Sequence, residues 1–289
     1  MSSPSPADKL RALLAEPGLL VTPACYDALS ARMIERAGFR LSFMSGFAVS
    51  AARLGLPDTG LISYAEMVEQ GRNICNAVSI PVIGDADTGY GNALNVKRTI
   101  RGYAQAGFAC AMIEDQVAPK RCGHTRGKQV VGRDEALARI RAAVDARDEG
   151  ADILIMARTD ARATDGFDEA LWRVRAFADA GADIVFLEAP RTEAEMRAFC
   201  AGVGKPAMAN MVEGGDTPVL PPKQLEALGF KVAAYPLTLM NVSLAAMQRA
   251  LGALKDGRAP DGLLDFAEIR DIVGFPGYYD AEKKYAGGE

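Results

Sequence analysis

The chain has no apolar run long enough to span a membrane, no excess of basic residues, no paired cysteine spacing and a single histidine. Each shortage removes a class of function. Without a long apolar run there is no membrane anchor, and Met1-Ser-Ser-Pro-Ser-Pro6 lacks the basic and apolar regions of a secretory signal, so a cytoplasmic location is expected. A formal net charge of -4 leaves no electrostatic footprint for nucleic acid. The five cysteines, Cys25, Cys75, Cys110, Cys122 and Cys200, are odd in number and scattered. They fit neither a zinc nor a redox spacing and read as reduced thiols. Cys75, Cys110 and Cys200 lie among apolar neighbours, as core residues do.

What remains is a chain of 289 residues, 49% hydrophobic and 24% charged, able to bury a large core. Eight short apolar runs recur along it: 19–24, 41–45, 80–85, 109–114, 152–158, 183–188, 205–210 and 230–235. Between them the segments 28–37, 64–77, 93–106, 135–147 and 167–180 carry apolar residues at helical spacing. Gly38, Gly107, Gly150, Gly181 and Gly229 fall where a helix must stop, the place of a left-handed C-cap. Apolar runs that do not alternate belong to strands covered on both faces, hence to a parallel sheet. Eight such units predict one α/β domain over residues 1–289, a closed (β/α)8 TIM barrel, with a doubly wound open sheet as the alternative. The segment Leu237 to Leu254 is apolar on nearly every side and needs more cover than one barrel wall provides. Either another subunit or the tail from Asp265 to Tyr285 supplies it.

Active sites of parallel barrels lie where the strands end, and here nearly every run ends polar. The residues are Ser45 and Gly46, Asp85 and Asp87, Glu114 and Asp115, Arg158 and Asp160, Glu188, Asn210 and Glu213, and Tyr235 with Pro236. Any one of them alone reads equally well as a cap or turn residue. Asp85 and Asp87 are two apart, so an extended strand turns both to one side, and Glu114 ends the next strand. Three converging carboxylates call for a hard divalent cation, Mg2+, with Mn2+ as an alternative ion. Asp58 adds a fourth acid or simply makes a turn. Arg158, at a strand end, suits a carboxylate substrate through its two-pronged guanidinium.

The polar segment 115–132 shows no apolar periodicity over 18 residues, and it holds Lys120, Arg121, Cys122, Gly123 and His124. Its content predicts an active-site lid, with a thiol whose acidity the neighbouring cations tune.

The ordered set Asp85-Ala-Asp-Thr-Gly-Tyr-Gly91, Ile113-Glu-Asp-Gln116, Lys120 to His124, Ala157-Arg-Thr-Asp160 and Ala209-Asn-Met-Val-Glu-Gly-Gly215 resembles the isocitrate lyase and phosphoenolpyruvate mutase superfamily. The resemblance runs from about Ala24 to Leu254. It implies Mg2+ held directly by Asp87 and through waters by Asp58, Asp85 and Glu114. It also implies a last helix, within the tail 237–289, swapped between the subunits of a homotetramer. The Cys122-Gly123-His124 run points to the carbon–carbon lyase branch and away from phosphorus chemistry, in the manner of the 2-alkylmalate, 2,3-dimethylmalate and 2-methylisocitrate lyases. Phe43 stands where methylisocitrate lyases carry tyrosine, which argues against a third substrate carboxylate. The expected activity is retro-Claisen cleavage of a 2-hydroxy di- or tricarboxylate to a 2-oxo acid and a carboxylic acid. Oxaloacetate hydrolysis or decarboxylation is the alternative within enzymes, and a dicarboxylate-binding sensor or scaffold the alternative outside them. The catalytic set is Cys122, His124, Lys120, Arg158 and Glu188. The substrate-binding set is Ser45, Gly46, Asp85, Gly123, Arg158, Asn210, Glu213 and Pro236.

Overall fold

Eight parallel strands close into a barrel, each hydrogen-bonded to the next and the last to the first. The computed structural model describes residues 3–122 and 127–286. In chain order the elements are α1 Pro6–Ala15, β1 Leu20–Cys25, α2 Ala28–Arg36, β2 Ser42–Met44, α3 Gly46–Leu54, α4 Tyr64–Ala77, β3 Val82–Asp85, α5 Ala93–Ala106, β4 Cys110–Glu114 and α6 Arg133–Asp148. They continue as β5 Leu154–Thr159, α7 Ala161–Thr164, α8 Phe167–Asp179, β6 Ile184–Leu187, α9 Glu193–Gly202, β7 Ala207–Asn210, α10 Pro222–Leu228 and β8 Val232–Tyr235. Three helices follow, α11 Thr238–Lys255, α12 Phe266–Val273 and α13 Phe275–Tyr285.

All eight expected strands are present, each starting one or two residues later than the apolar run. The continuous apolar runs resolve into two faces. Ile83, Cys110, Met112, Leu154, Met156, Ile184, Phe186 and Met208 share one buried group with Leu10 and Leu13 of α1, the filling of the barrel. The alternate residues Val82, Ala111, Ile113, Ile155, Ala157, Val185 and Leu187 pack with the outer helices instead. Period two is therefore intact although both faces are apolar. Gly38, Gly107, Gly150, Gly181 and Gly229 all have positive φ, between 86° and 113°, as helix stops require.

The residues divide into two compact units, Met1–Leu239 and Met240–Glu289. The second carries most of α11 with α12 and α13. Its large apolar residues are widely exposed, Val242 at 62%, Leu251 at 64% and Phe266 at 74% among them. No described helix is long and apolar enough to cross a membrane.

Candidate active site

A cavity of about 200 Å3 opens at the carboxyl ends of the strands. Of the expected residues, Ser45, Asp58, Asp85, Lys120, Cys122, Arg158, Glu188, Asn210 and Pro236 line it. Gly46 lies directly behind, its N–H donating to Asp85 Oδ2 at 3.2 Å. A Cβ at this position would stand 2.5 Å from that oxygen, so glycine is what lets the α3 backbone reach the acid. Ser45 also caps α3 by accepting from the Ala48 N–H, so its capping and its place on the cavity wall coexist. Glu213 is exposed and pairs with the Thr238 hydroxyl, away from the cavity wall. Gly123 and His124 lie outside the described residues.

The acids meet as expected, with a lysine among them. Asp85 Oδ1 accepts the Asp87 N–H at 3.0 Å, and Asp87 is held in the left-handed region at φ 49°, a conformation that costs a non-glycine residue energy and clusters at functional sites. Lys120 Nζ donates to Asp58 Oδ2 at 2.7 Å and lies 2.6 Å from Asp58 Oδ1 and 3.0 Å from Asp87 Oδ1. Burial acts to lower the basicity of Lys120, but Asp87, Asp85 and Asp58 outweigh it and hold the ammonium well above its usual range. Burial pushes the Asp87 carboxyl up to about 6 against the pull of Lys120, with Asp85 and Asp58 adding to the rise. Burial likewise drives Glu114 well above the carboxylate range, opposed by Arg158.

Lys120 pairs with Asp58 and Asp87 while Glu114 meets Arg158, and several carboxylate oxygens of this cluster are left without a donor. Asp58 Oδ1 and Asp87 Oδ1 meet the ammonium without hydrogen-bond geometry, and Glu114 Oε1 is buried with no hydrogen-bond donor among the described residues. Among those residues no three acids, cysteines or histidines form a ready-made ligand cage. Carboxylate oxygens without donors could serve an ion that keeps most of its water and takes one or two carboxylates directly, as Mg2+ does.

Across the cavity, Arg158 is gripped rather than free. Asp160 receives its Nε at 2.9 Å and its NH2 at 3.0 Å, a two-pronged pair. Glu188 Oε2 is 3.1 Å from NH2 and Glu114 Oε2 is 3.4 Å from NH1. Asn210 Nδ2 donates to Glu188 at 3.1 and 3.3 Å, fixing that carboxylate. Burial acts to raise Asp160, but Arg158 and Lys128 outweigh it and the carboxyl lies below its usual range.

The segment 115–132 is tied down at its base. The Val117 N–H donates to Gln129 O at 2.8 Å and the Val131 N–H to Asp115 O at 2.9 Å. From α6, Arg139 donates to Gln116 O at 2.7 Å, and from α8, Arg173 donates to Val131 O at 2.9 Å and to Asp115 at 3.0 Å. Asp115 also accepts from the Thr159 hydroxyl at 2.6 Å and the Asp160 N–H at 2.9 Å, so the strand carrying Arg158 and the foot of the loop share one carboxylate. Among the cysteines, Cys122 alone lines the cavity. Burial pushes the thiols of Cys25, Cys75 and Cys200 up to about 12 and that of Cys110 well above its usual value.

Beyond Phe43 and Leu237, the neighbour of Pro236, the apolar wall is not indicated by the polar strand ends themselves. It comprises Phe43, Phe47, Met112, Phe186, Met208, Val212 and Leu237. A signal for part of it exists in the sequence. Met112, Phe186 and Met208 each sit two residues before a polar strand end, Glu114, Glu188 and Asn210, and therefore on the same face.

Comparison with known proteins agrees with this geometry. The family profile described as phosphoenolpyruvate phosphomutase matches residues 10–255. The 2,3-dimethylmalate lyase of Eubacterium barkeri is 45% identical over 286 residues, 98% of this chain and 99% of that protein. The solved structure of an oxaloacetate acetylhydrolase with 3,3-difluorooxalacetate superposes with a TM-score of 0.94 at 35% identity, covering 98% of each chain. A phosphonopyruvate hydrolase complexed with oxalate and Mg2+ superposes with a TM-score of 0.87 at 29% identity, covering 98% of this chain and 99% of the other. Fold, strand-end acids and coverage agree: the chain belongs to the phosphoenolpyruvate mutase/isocitrate lyase superfamily, beside its carbon–carbon lyases.

Proposed function

We propose that the protein is a Mg2+-dependent carbon–carbon lyase acting on a 2-hydroxy dicarboxylate of the 2-alkylmalate type. The observation that carries this reading is one cavity in which Lys120, Cys122 and Arg158 face an apolar wall. The cations suit carboxylates, and the methionines and phenylalanines among them suit alkyl substituents. The resemblance to a 2,3-dimethylmalate lyase over 98% of the chain supports the same substrate class.

Asp87, with Asp58, Asp85 and Glu114, would hold the divalent ion, which supplies Lewis-acid polarisation of the substrate's oxygens. Arg158 orients a substrate carboxylate, and Asp160 keeps its guanidinium plane fixed. Transfer of the C2 hydroxyl proton to a cavity carboxylate lets the oxygen's electron pair form the C2 carbonyl. The C2–C3 bond breaks, and its electrons pass into the departing carboxylate as an enediolate. Lys120 lies beside the acids to offset that charge. The Cys122 thiol gives its proton to the carbon freed at C3, which releases a 2-oxo acid and a carboxylic acid. The segment 115–132 acts as the lid that keeps water away, and His124 within it adds charge stabilisation.

The exposed apolar residues of α11 and of the tail 237–289 support burial against further copies of the chain, in a homotetramer with swapped helices. Likeness to an oxaloacetate acetylhydrolase favours a second reading, hydrolytic cleavage of oxaloacetate at the corresponding bond. Product analysis separates the two: 2-alkylmalates, isocitrates, 2-methylisocitrate and oxaloacetate are each incubated with and without Mg2+. Faster turnover of 2-alkylmalates supports the lyase; oxalate and acetate from oxaloacetate as the faster reaction would replace it.

A further inference from the structure

Lys128 stands at the far foot of the loop and is itself given no part in the proposed chemistry. Its side chain is 5% exposed, and its Nζ donates to Asp160 Oδ1 at 3.0 Å. The same oxygen accepts NH2 of Arg158, also at 3.0 Å. Two buried cations thus share one carboxylate oxygen.

The charge around Arg158 gives this sharing a purpose. Three carboxyl groups, Asp160, Glu114 and Glu188, lie within 3.4 Å of the guanidinium, and burial drives Glu114 towards its neutral form. A substrate carboxylate beside Asp160 and Glu188 would bring more negative charge than one guanidinium offsets. Repulsion between like charges is strong where water is excluded. A second buried cation on Asp160 lessens that excess. It does so without displacing Arg158, because Asp160 Oδ1 still receives NH2 at 3.0 Å and Oδ2 receives Nε at 2.9 Å. We propose that Lys128 is a positioning residue: by sharing Asp160 with Arg158, it fixes the guanidinium and leaves its positive charge available to a substrate carboxylate. This rests on the reading of Arg158 as the carboxylate-binding cation. It adds that the loop contributes to substrate affinity from its buried foot, separately from the proton its thiol delivers.

The experiment uses the full chain with Mg2+ and oxalate as the dicarboxylate probe, measured by titration calorimetry, together with steady-state kinetics on the best 2-alkylmalate. Lys128→Met keeps the length and removes the charge. It should weaken oxalate binding and raise KM by about ten- to a hundredfold, the worth of one charge-assisted hydrogen bond, with kcat within about threefold of wild type. Lys128→Arg should restore most of the affinity. A merely structural lysine would lower the melting temperature and leave the oxalate affinity of the folded protein unchanged, and that result overturns the proposal. A fall in kcat at constant KM also overturns it, by placing Lys128 in the chemical step. Failure of the wild type to bind oxalate removes the functional reading and this proposal together. Wild-type binding that Lys128→Met leaves intact removes this proposal alone.

Discussion

At the scale of single residues, the cysteines divide by environment. Loss of hydration pushes four thiols up, Cys25 and Cys110 fully buried and Cys75 and Cys200 half-buried, whereas Cys122, also half-buried, is the one that lines the cavity. Iodoacetamide at pH 8 should therefore modify Cys122 first, read by peptide mass spectrometry, and oxalate should slow the reaction. Equal labelling of Cys75 or Cys200 would contradict the assignment. Cys122→Ser should lower kcat on 2-alkylmalates by about 10²- to 10⁴-fold, the usual worth of a positioned proton donor, with KM nearly unchanged. Exhaustive chelation should abolish turnover and Mg2+ restore it, and Asp87→Ala should be inactive yet folded. Turnover that survives chelation would rule out the cation site. Which side chains gather here was largely legible in the sequence, because strand ends in a parallel barrel converge whatever the connecting loops do. Lys120 shows the limit. That it lies between Asp58 and Asp87 depends on the path of an irregular loop, which no periodicity encodes. Arg158 shows another: its position at a strand end was readable, but the grip of Asp160 two residues on needed coordinates. Glu213 is exposed in the turn after β7 and does not line the cavity among the described residues, a placement the strand-end pattern does not encode.

Among the elements, α4 and α5 were readable to the residue, since Ser63 and Asn92 cap them and each apolar stripe is regular. The helices α9 and α10 carry weaker stripes. The segment 115–132 is held by side chains of α6 and α8, and a testable electrostatic consequence sits at that support. Glu169 on α8 accepts from both Arg133 and Arg173, and these bonds hold its carboxyl down to about 2 from an ordinary 4.5, against burial. A carboxyl depressed on folding stabilises the protein above its unfolded value. That contribution is lost as the pH falls from about 4.5 towards 2. Glu169→Gln should lower Tm at pH 7 by on the order of 2–4 °C, the effect of ~1 kcal/mol in a chain of this size. It should also flatten the fall of Tm between pH 4.5 and 2. Parallel acid limbs for the two proteins in scanning calorimetry would show the pair to be without effect.

On the scale of the whole molecule, the exposed apolar surface of α11 and the last two helices sets the expected assembly. Val242, Leu244, Met247, Leu251 and Leu254 are all more than half exposed, more apolar surface than a monomer ordinarily leaves in water. Light scattering at micromolar concentration should give a mass near four times 30.7 kDa, and a stable monomer would contradict the tetramer. Replacing Leu251 and Leu254 with lysine should shift the mass downward.

The barrel's seam has a bearing on how the chain acquires activity. Leu20 pairs with Val232, so the first and last strands join across more than two hundred residues. Ser45, near one side of that seam, and Pro236, at its other side, line the same cavity. A nascent or refolding chain lacking β8 has the acids and the thiol but no closed vessel to hold a substrate. Pairing this distant in sequence forms late and slowly. A chain whose β8 has not yet joined β1 would therefore lack one wall of the cavity, and activity is expected to appear only once that seam is made.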